Sequence, residues 1–373
     1  MPHMRAPGLT GRHRLLRQSR AAACCRTIVI GDLHGSYDSL LRMLQTAGVL
    51  DNQHGWVADD RTHLVVLGDM VDEGPDSFEV VHLLKRLLQR SPEAVHVLLG
   101  NHEVLLLRAV SGEDQLLDWQ TAWSWAAHHA GLAACLLESG VPRLTGQAIR
   151  TSFVETYRTT GLATPPADYL AAVAATPGVL RSRAARLLGD VLRLDGTLDW
   201  LSSLPVALRI GDWGFFHGGP PASFPGTIAD LNAEVRNLVC GRHWDHHLLE
   251  PYRSVQSAIA ARGWAKDETE VSRLLRQFDI KRVAFGHSPG ALDGVFGHLC
   301  HRWGTVFKAD AYAGLGIEGF LELLDNEAWA IYTKESLPMF WLVNPDSDGI
   351  ADVNPLHAEC RELNRRDDRD ARP

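Results

Sequence analysis

Five short apolar runs punctuate the chain, and each stops abruptly at glycine or histidine. Thr27–Ile30 meets Gly31-Asp32-Leu33-His34-Gly35, and Leu64–Leu67 meets Gly68-Asp69. Val95–Leu99 meets Gly100-Asn101-His102-Glu103, Trp213–Phe216 meets His217-Gly218-Gly219, and Arg282–Phe285 meets Gly286-His287-Ser288-Pro289. Runs of four or five such residues bounded by glycine read as buried strands. Between the first three, the period changes to that of a helix. Ser36 is a candidate N-cap ahead of Leu40, Leu41, Leu44 and Val49, and Pro75 can open a helix carrying Val80, Val81, Leu83, Leu84, Leu87 and Leu88. Strand–helix–strand units of this length predict a parallel sheet covered on both faces. Ligands of such sheets sit at the carboxyl ends of the strands, where all five polar clusters fall.

Composition narrows the class. The chain has 373 residues, 45% hydrophobic and 22% charged, which excludes collagen and wholesale disorder. Its formal charge of −8 argues against nucleic acid as main partner, and no apolar run is long enough to predict a membrane span. Six cysteines without CxxC spacing fit free thiols in a reducing compartment, hence a cytoplasmic protein. Residues 1–26 carry arginines and no acid, and lack the apolar core of a secretory signal, so they read as a flexible basic arm. Residues 346–373 read as a solvated tail, leaving 27–345 as one domain. Within it, an Ala- and Leu-rich stretch of about 104–204 has helical spacing.

The strand ends carry a metal-ligand set: Asp32, His34, Asp69, Asn101, His217 and His287. Carboxylate and imidazole together suit manganese, iron or zinc. Asp69 is the central candidate for bridging two ions, the arrangement that clamps a phosphoryl group during in-line attack. A single Gly-Asp pair would carry no such weight, but five strand ends repeat the pattern.

Taken jointly, Gly31–Gly35, Gly68-Asp69-Met70-Val71-Asp72, Gly100-Asn101-His102-Glu103, His217-Gly218-Gly219 and Gly286-His287-Ser288 resemble the signature of PPP-type phosphatases among the calcineurin-like metallophosphoesterases. Gly68–Ser77 and Leu99–Glu103 look most like the bacterial Shewanella-like protein phosphatases. The resemblance spans about residues 27–335. It implies an α/β fold, a four-layered α/β/β/α sandwich with a helical insertion, around two transition-metal ions, manganese before iron or zinc. Asp32, His34 and Asp69 would hold the first ion, and Asp69, Asn101, His217 and His287 the second. A hydroxide bridging the ions would attack phosphorus. His102 would protonate the leaving oxygen, oriented by Asp72. The insertion at about 104–204, including Leu105, Leu106, Leu107, Leu116, Leu117, Trp119, Trp123 and Trp125, would form a cap that shapes substrate access.

Further details discriminate within the superfamily. Pro289 stands where many phosphodiesterases have a second histidine, which favours monoesters. Glu103 and Gly218 favour the phosphoprotein branch over diadenosine tetraphosphate hydrolases. One departure matters: Glu73 stands where the family has a phosphate-clamping arginine, and a carboxylate cannot form that bidentate fork. For a second substrate-binding arginine, Arg253 is the first match and Arg242 the second. The expectation is a metal-dependent phosphoric monoester hydrolase acting on phosphoserine or phosphothreonine in proteins. Two alternatives stand: a hydrolase of dinucleoside polyphosphates or small phosphate esters, and a metal-bound pseudo-phosphatase disabled by Glu73. Adjacent pairs such as His128-His129, His246-His247 and Cys24-Cys25 read as structural, with Trp244–His247 a minor candidate for a third metal site. Lys308–Tyr312 resembles the family's terminal sheet strand, with Asp310 in a polar turn.

Overall fold

A computed structural model describes residues 25–74, 76–111, 178–252, 254–294, 297–325, 327–333 and 340–343. The basic arm up to residue 24, the tail, most of the 104–204 insertion, Pro75 and Arg253 lie outside the described residues.

The chain opens with β1 (Arg26–Ile30), α1 (Tyr37–Ala47), β2 (Thr62–Val66), α2 (Ser77–Arg90), β3 (Val95–Val97) and α3 (Asn101–Val110). It resumes with α4 (Gly178–Leu194), α5 (Thr197–Ser203), β4 (Ala207–Ile210), β5 (Trp213–Phe216), α6 (Ile228–Cys240), α7 (Glu268–Gln277) and β6 (Arg282–Phe285). It ends with β7 (Cys300–Arg302), β8 (Val306–Lys308), β9 (Gly319–Leu324), β10 (Glu327–Tyr332) and β11 (Phe340–Val343). All five expected strands form, and helices follow the first three. Ser36 precedes α1 as expected, but its side chain makes no capping hydrogen bond.

The strands do not share one sheet. The first sheet has the order β11-β10-β9-β1-β2-β3 and the second β4-β5-β6-β8-β7. Within the first, β1, β2 and β3 are parallel, as the strand–helix–strand pattern predicts, but β9 joins the free edge of β1 antiparallel. In the second, β5, β6 and β8 are parallel and β4 and β7 flank them antiparallel.

Alternation along the strands explains why two sheets stack. In β1, Ile28 and Ile30 join a cluster containing helical Leu40, Leu44, Val80 and Leu84, while Val29 faces a separate cluster. That second cluster draws Val65, Leu321, Leu323, Ala328 and Ala330 from one sheet and Phe215, Ala284 and Phe307 from the other. It is the seam between sheets, and the first cluster attaches helices to their outer faces. The layers are helix, sheet, sheet, helix. Period-2 strands with both faces apolar demand this double coverage. Among the described residues, no helix is long and apolar enough to cross a membrane.

Candidate metal centre

The carboxyl ends of β1, β2 and β3 in one sheet and of β5 and β6 in the other converge on one cleft of about 980 Å³. Asp32, His34, Asp69, Asn101, His102 and His287 line it, with Glu73, Arg262 and Tyr312 around them. His217 is fully buried against its floor.

Each expected ligand spends one atom on scaffolding and offers another to the cleft. Asp32 Oδ1 accepts the backbone N–H of His287 at 2.9 Å, and its Oδ2 lies 3.9 Å from His34 Nε2. Asp69 Oδ1 accepts the N–H of His102 at 3.0 Å. Its Oδ2 lies 3.9 Å from His34 Nε2 on one side and 3.2 Å from His217 Nε2 on the other. One oxygen of Asp69 therefore faces both halves of the centre. His34 Nδ1 sits 3.3 Å from the Val71 carbonyl and His217 Nδ1 3.0 Å from that of Leu67. These contacts fix both rings with Nε2 turned toward Asp69. Asn101 Oδ1 lies 3.0 Å from His217 Nε2, at the start of α3. Asp69, His217 and His287 gather in one ligand-type group, and His34, Asp69 and His102 in another.

The donor set fits cations. Burial, then the negative charges of Asp310 and Asp69, push the Asp32 carboxyl well above the usual carboxylate range. Buried Asp310, whose Oδ2 has no hydrogen-bond partner, is itself pushed up to about 6, chiefly by burial. A dication among these carboxylates removes that conflict. Burial raises the Asp69 carboxyl too, but His217 and His102 outweigh it and hold it well below its ordinary value. His287 is held well below the ordinary imidazole range by burial and by neighbouring His217 and Arg262, so it is neutral, the ligand form.

The backbone is held under strain here. His34, Asp69, Asp72, Glu73, His287 and Tyr312 all adopt left-handed φ, between 45° and 69°. Such conformations cost about 1–3 kcal/mol each in non-glycine residues, and persist where the surroundings over-determine them. Glu103 supplies much of that determination. Fully buried, it accepts the N–H groups of Asp69 (2.9 Å), Met70 (2.7 Å) and Gly100 (2.8 Å). Gly100 is required for close approach, since a Cβ there would collide with Asp69.

His102 Nδ1 lies 2.9 Å from Asp72 Oδ2, and its Nε2 faces the cleft 4.0 Å from Asp69 Oδ2. Burial alone would lower the His102 value, but the charges of Asp69 and Asp72 hold it well above 6.5. This is a protonated imidazole oriented by a carboxylate. Glu73 Oε2 accepts from the Tyr312 hydroxyl at 3.1 Å and lies 3.9 Å from His34 Nε2.

The arginine expectations fare differently. Arg242 is exposed and directs its guanidinium to the Ser111 carbonyl, away from the cleft-lining residues. Arg253 lies outside the described residues. Two arginines line the cleft, Arg262 and Arg302, and Arg262, which the sequence reading missed, is the one in contact with an expected ligand, His287. Its Nε donates to His287 Nε2 at 2.8 Å and its Nη2 to the His287 carbonyl at 3.2 Å. Its only sequence signal is its place in Arg262-Gly263-Trp264, where Trp264 Nε1 donates to the Gly218 carbonyl behind His217. Among the described residues Trp244–His247 gathers no ligand group, but Asp293, His298 and Cys300 do, near buried Lys308. Lys308 Nζ lies 3.3 Å from Asp293 Oδ1 and donates to the Pro289 carbonyl, so that carboxylate already has a cation.

The family model of the calcineurin-like phosphoesterases matches residues 25–158, which hold the first three strand ends of this centre. Residues 25–158 are thus similar to a calcineurin-like phosphoesterase domain. Over 99 residues it is 34% identical to the serine/threonine-protein phosphatase SIT4 of Candida albicans, covering 26% of this chain and 30% of that one. Over 84 residues it is 37% identical to the serine/threonine-protein phosphatase 6 catalytic subunit of Caenorhabditis elegans, covering 22% and 23%. The chain thus spans less than a third of the length of these relatives. The crystal structure of a cold-active protein-tyrosine phosphatase from a psychrophilic Shewanella species shares the fold, with a TM-score of 0.54 and 19% identity, over 86% of this chain and 81% of that one. The phosphoesterase family works with divalent metal ions, and the buried carboxylate–imidazole groups described above suit them.

Proposed function

We propose that this protein is a metal-dependent phosphomonoesterase that dephosphorylates phosphoserine and phosphothreonine in proteins. The observation that carries the reading is the His102–Asp72 pair at 2.9 Å beside two ligand groups that share Asp69. In this reading Asp32, His34 and Asp69 hold one ion, and Asp69, Asn101, His217 and His287 the other, with manganese ahead of iron or zinc for a set that mixes oxygen and imidazole donors. When bound, the ions supply Lewis acidity toward the phosphoryl oxygens and toward attacking water.

The chain's own residues do the rest. His102 holds a proton on Nε2, facing the cleft, for the leaving oxygen, while Asp72 fixes the ring and favours its charged form. Arg262 lines the cleft beside His287 and is the guanidinium we assign to the phosphate. A neutral imidazole has one acceptor nitrogen, so an ion on His287 and the Arg262 contact at Nε2 compete. With an ion held by either ring nitrogen of His287, the Arg262 Nε contact would be lost while its Nη2 bond to the His287 carbonyl could stay, which would leave Nε free to turn toward substrate.

The test is turnover of p-nitrophenyl phosphate with added Mn²⁺, followed by phosphoserine peptides against diadenosine tetraphosphate at equal metal loading. Preference for the peptides is expected. Preference for the dinucleotide would move the protein to that substrate class, and no turnover with two ions bound would make it a binding protein.

A further inference from the structure

Glu73 turns inward to the ligand group of His34 instead of toward solvent, and its side chain is 13% exposed. Its Oε2 lies 3.9 Å from His34 Nε2, the same separation that Asp32 Oδ2 and Asp69 Oδ2 keep from that nitrogen. Three carboxylate oxygens thus stand around one imidazole nitrogen, each too far for a hydrogen bond. Atoms about 2.1 Å from a common ion stand roughly 3–4.2 Å from one another, so the spacing suits ligands that share an ion.

Two further observations point the same way. The Glu73 carboxylate receives a hydrogen bond from neutral Tyr312, and among the described residues no lysine or arginine forms an ion pair with it. Glu73 has one neutral donor where the more buried Glu103 has four backbone N–H groups, so a cation would compensate its burial. Asp72 and Glu73 also hold consecutive left-handed φ of 69° and 58°, a costly backbone pinned by the Asp72 N–H to Ser77 Oγ bond of 3.0 Å. The strained turn is what brings the Glu73 carboxylate inward.

We propose that Glu73 is an additional oxygen ligand of the ion held by Asp32, His34 and Asp69. The inference rests on the two-ion reading above and deepens it. The position that would have offered a cation to phosphate instead offers an anion to the metal. Phosphate binding then falls to the second half of the centre and Arg262, and the first ion is held more tightly.

The test is calorimetric titration of Mn²⁺ into the metal-stripped full chain. Glu73→Gln keeps the side-chain shape and an acceptor for Tyr312. It should weaken one of two Mn²⁺ sites by at least about tenfold, the lower end of what outer-shell partners alone contribute, and leave the other unchanged. The d–d absorption of the Co²⁺-loaded protein should change as well. Unchanged affinity at both sites overturns the proposal. Tyr312→Phe, which leaves the carboxylate in place, should keep the affinity; a loss equal to that of Glu73→Gln would mean loop disorder and also overturn it. Asp69→Asn separates the two levels of inference. If it weakens both sites while Glu73→Gln weakens neither, only Glu73 is wrongly assigned. If Asp69→Asn also changes nothing, the two-ion reading falls.

Discussion

His102 and Asp72 form a 2.9 Å pair although they come from different strand ends, one on the first turn of α3 and the other beyond β2. Asp72 is fully buried and His102 nearly so, hence the carboxylate acts on the imidazole with little solvent screening. His102→Asn should keep both ions and slow turnover by about 10²–10⁴-fold. The loss should shrink for nitrophenyl esters, whose leaving group needs less protonation than an alkyl alcohol. Equal losses on both ester types would remove His102 from the acid role.

Arg262 reaches His287 through both Nε and Nη2. Arg262→Ala should raise KM for p-nitrophenyl phosphate by roughly tenfold or more, the size of one charge-assisted contact at about 1.5–3 kcal/mol. Metal content should be retained, because the arginine competes with the ion for the His287 lone pair. Steady-state kinetics with elemental analysis checks both, and a loss of metal with KM unchanged would contradict the assignment.

Glu103 accepts backbone N–H groups from the loops that carry Asp69 and Asn101, two at each oxygen, with that of Val71 (3.3 Å) joining Met70 at Oε1. Glu103→Gln replaces one acceptor by an amide donor facing two of these N–H groups. Each orphaned buried donor costs roughly 1–3 kcal/mol, so thermal melting should move down by several degrees. Mn²⁺ affinity should fall as well, since Asp69 would lose its brace. A melting curve and affinity equal to wild type would show that the loops hold without it.

His96 lies on β3 with its ring stacked on His63 at 5.4 Å, and burial followed by the His63 charge lowers its value to about 4. The unfolded chain takes up this proton first as pH falls. Stability should be full above about pH 6.5 and decline toward pH 4. The ring is only half-buried, so solvent screening reduces the contribution to the order of 1 kcal/mol. Denaturant melts of His96→Gln should show a flatter pH dependence over that window, and an unchanged slope would refute the assignment.

Much of the centre was legible from sequence for a local reason. Strand ends such as Ile30-Gly31-Asp32 and Leu67-Gly68-Asp69 carry the apolar run, the turn and the ligand within a few residues, so periodicity and chemistry are read together. The structure gathers Asp32, His34, Asp69, Asn101 and His287 at one cleft, with His217 beneath it and Asp72 behind His102. Arg262 carried no such signal. It belongs to no strand end, and its distance from His287 is set by Trp264 packing behind Gly218. Arg242, the second match for a substrate-binding arginine, turns to the Ser111 carbonyl, because place in the sequence does not encode where a loop arginine turns.

The sequence by itself determined five of the strands, which residue types end them, and that these suit a pair of metal ions, since these follow from local hydrophobic period and side-chain chemistry. Only the tertiary structure decided which strands each of the two stacked sheets takes and in what order, that one oxygen of Asp69 faces both halves of the centre, and that Glu73 turns inward to His34. Such relations depend on how distant backbones pack and on side-chain direction at positive φ, and neither is written in the spacing of residues along a chain.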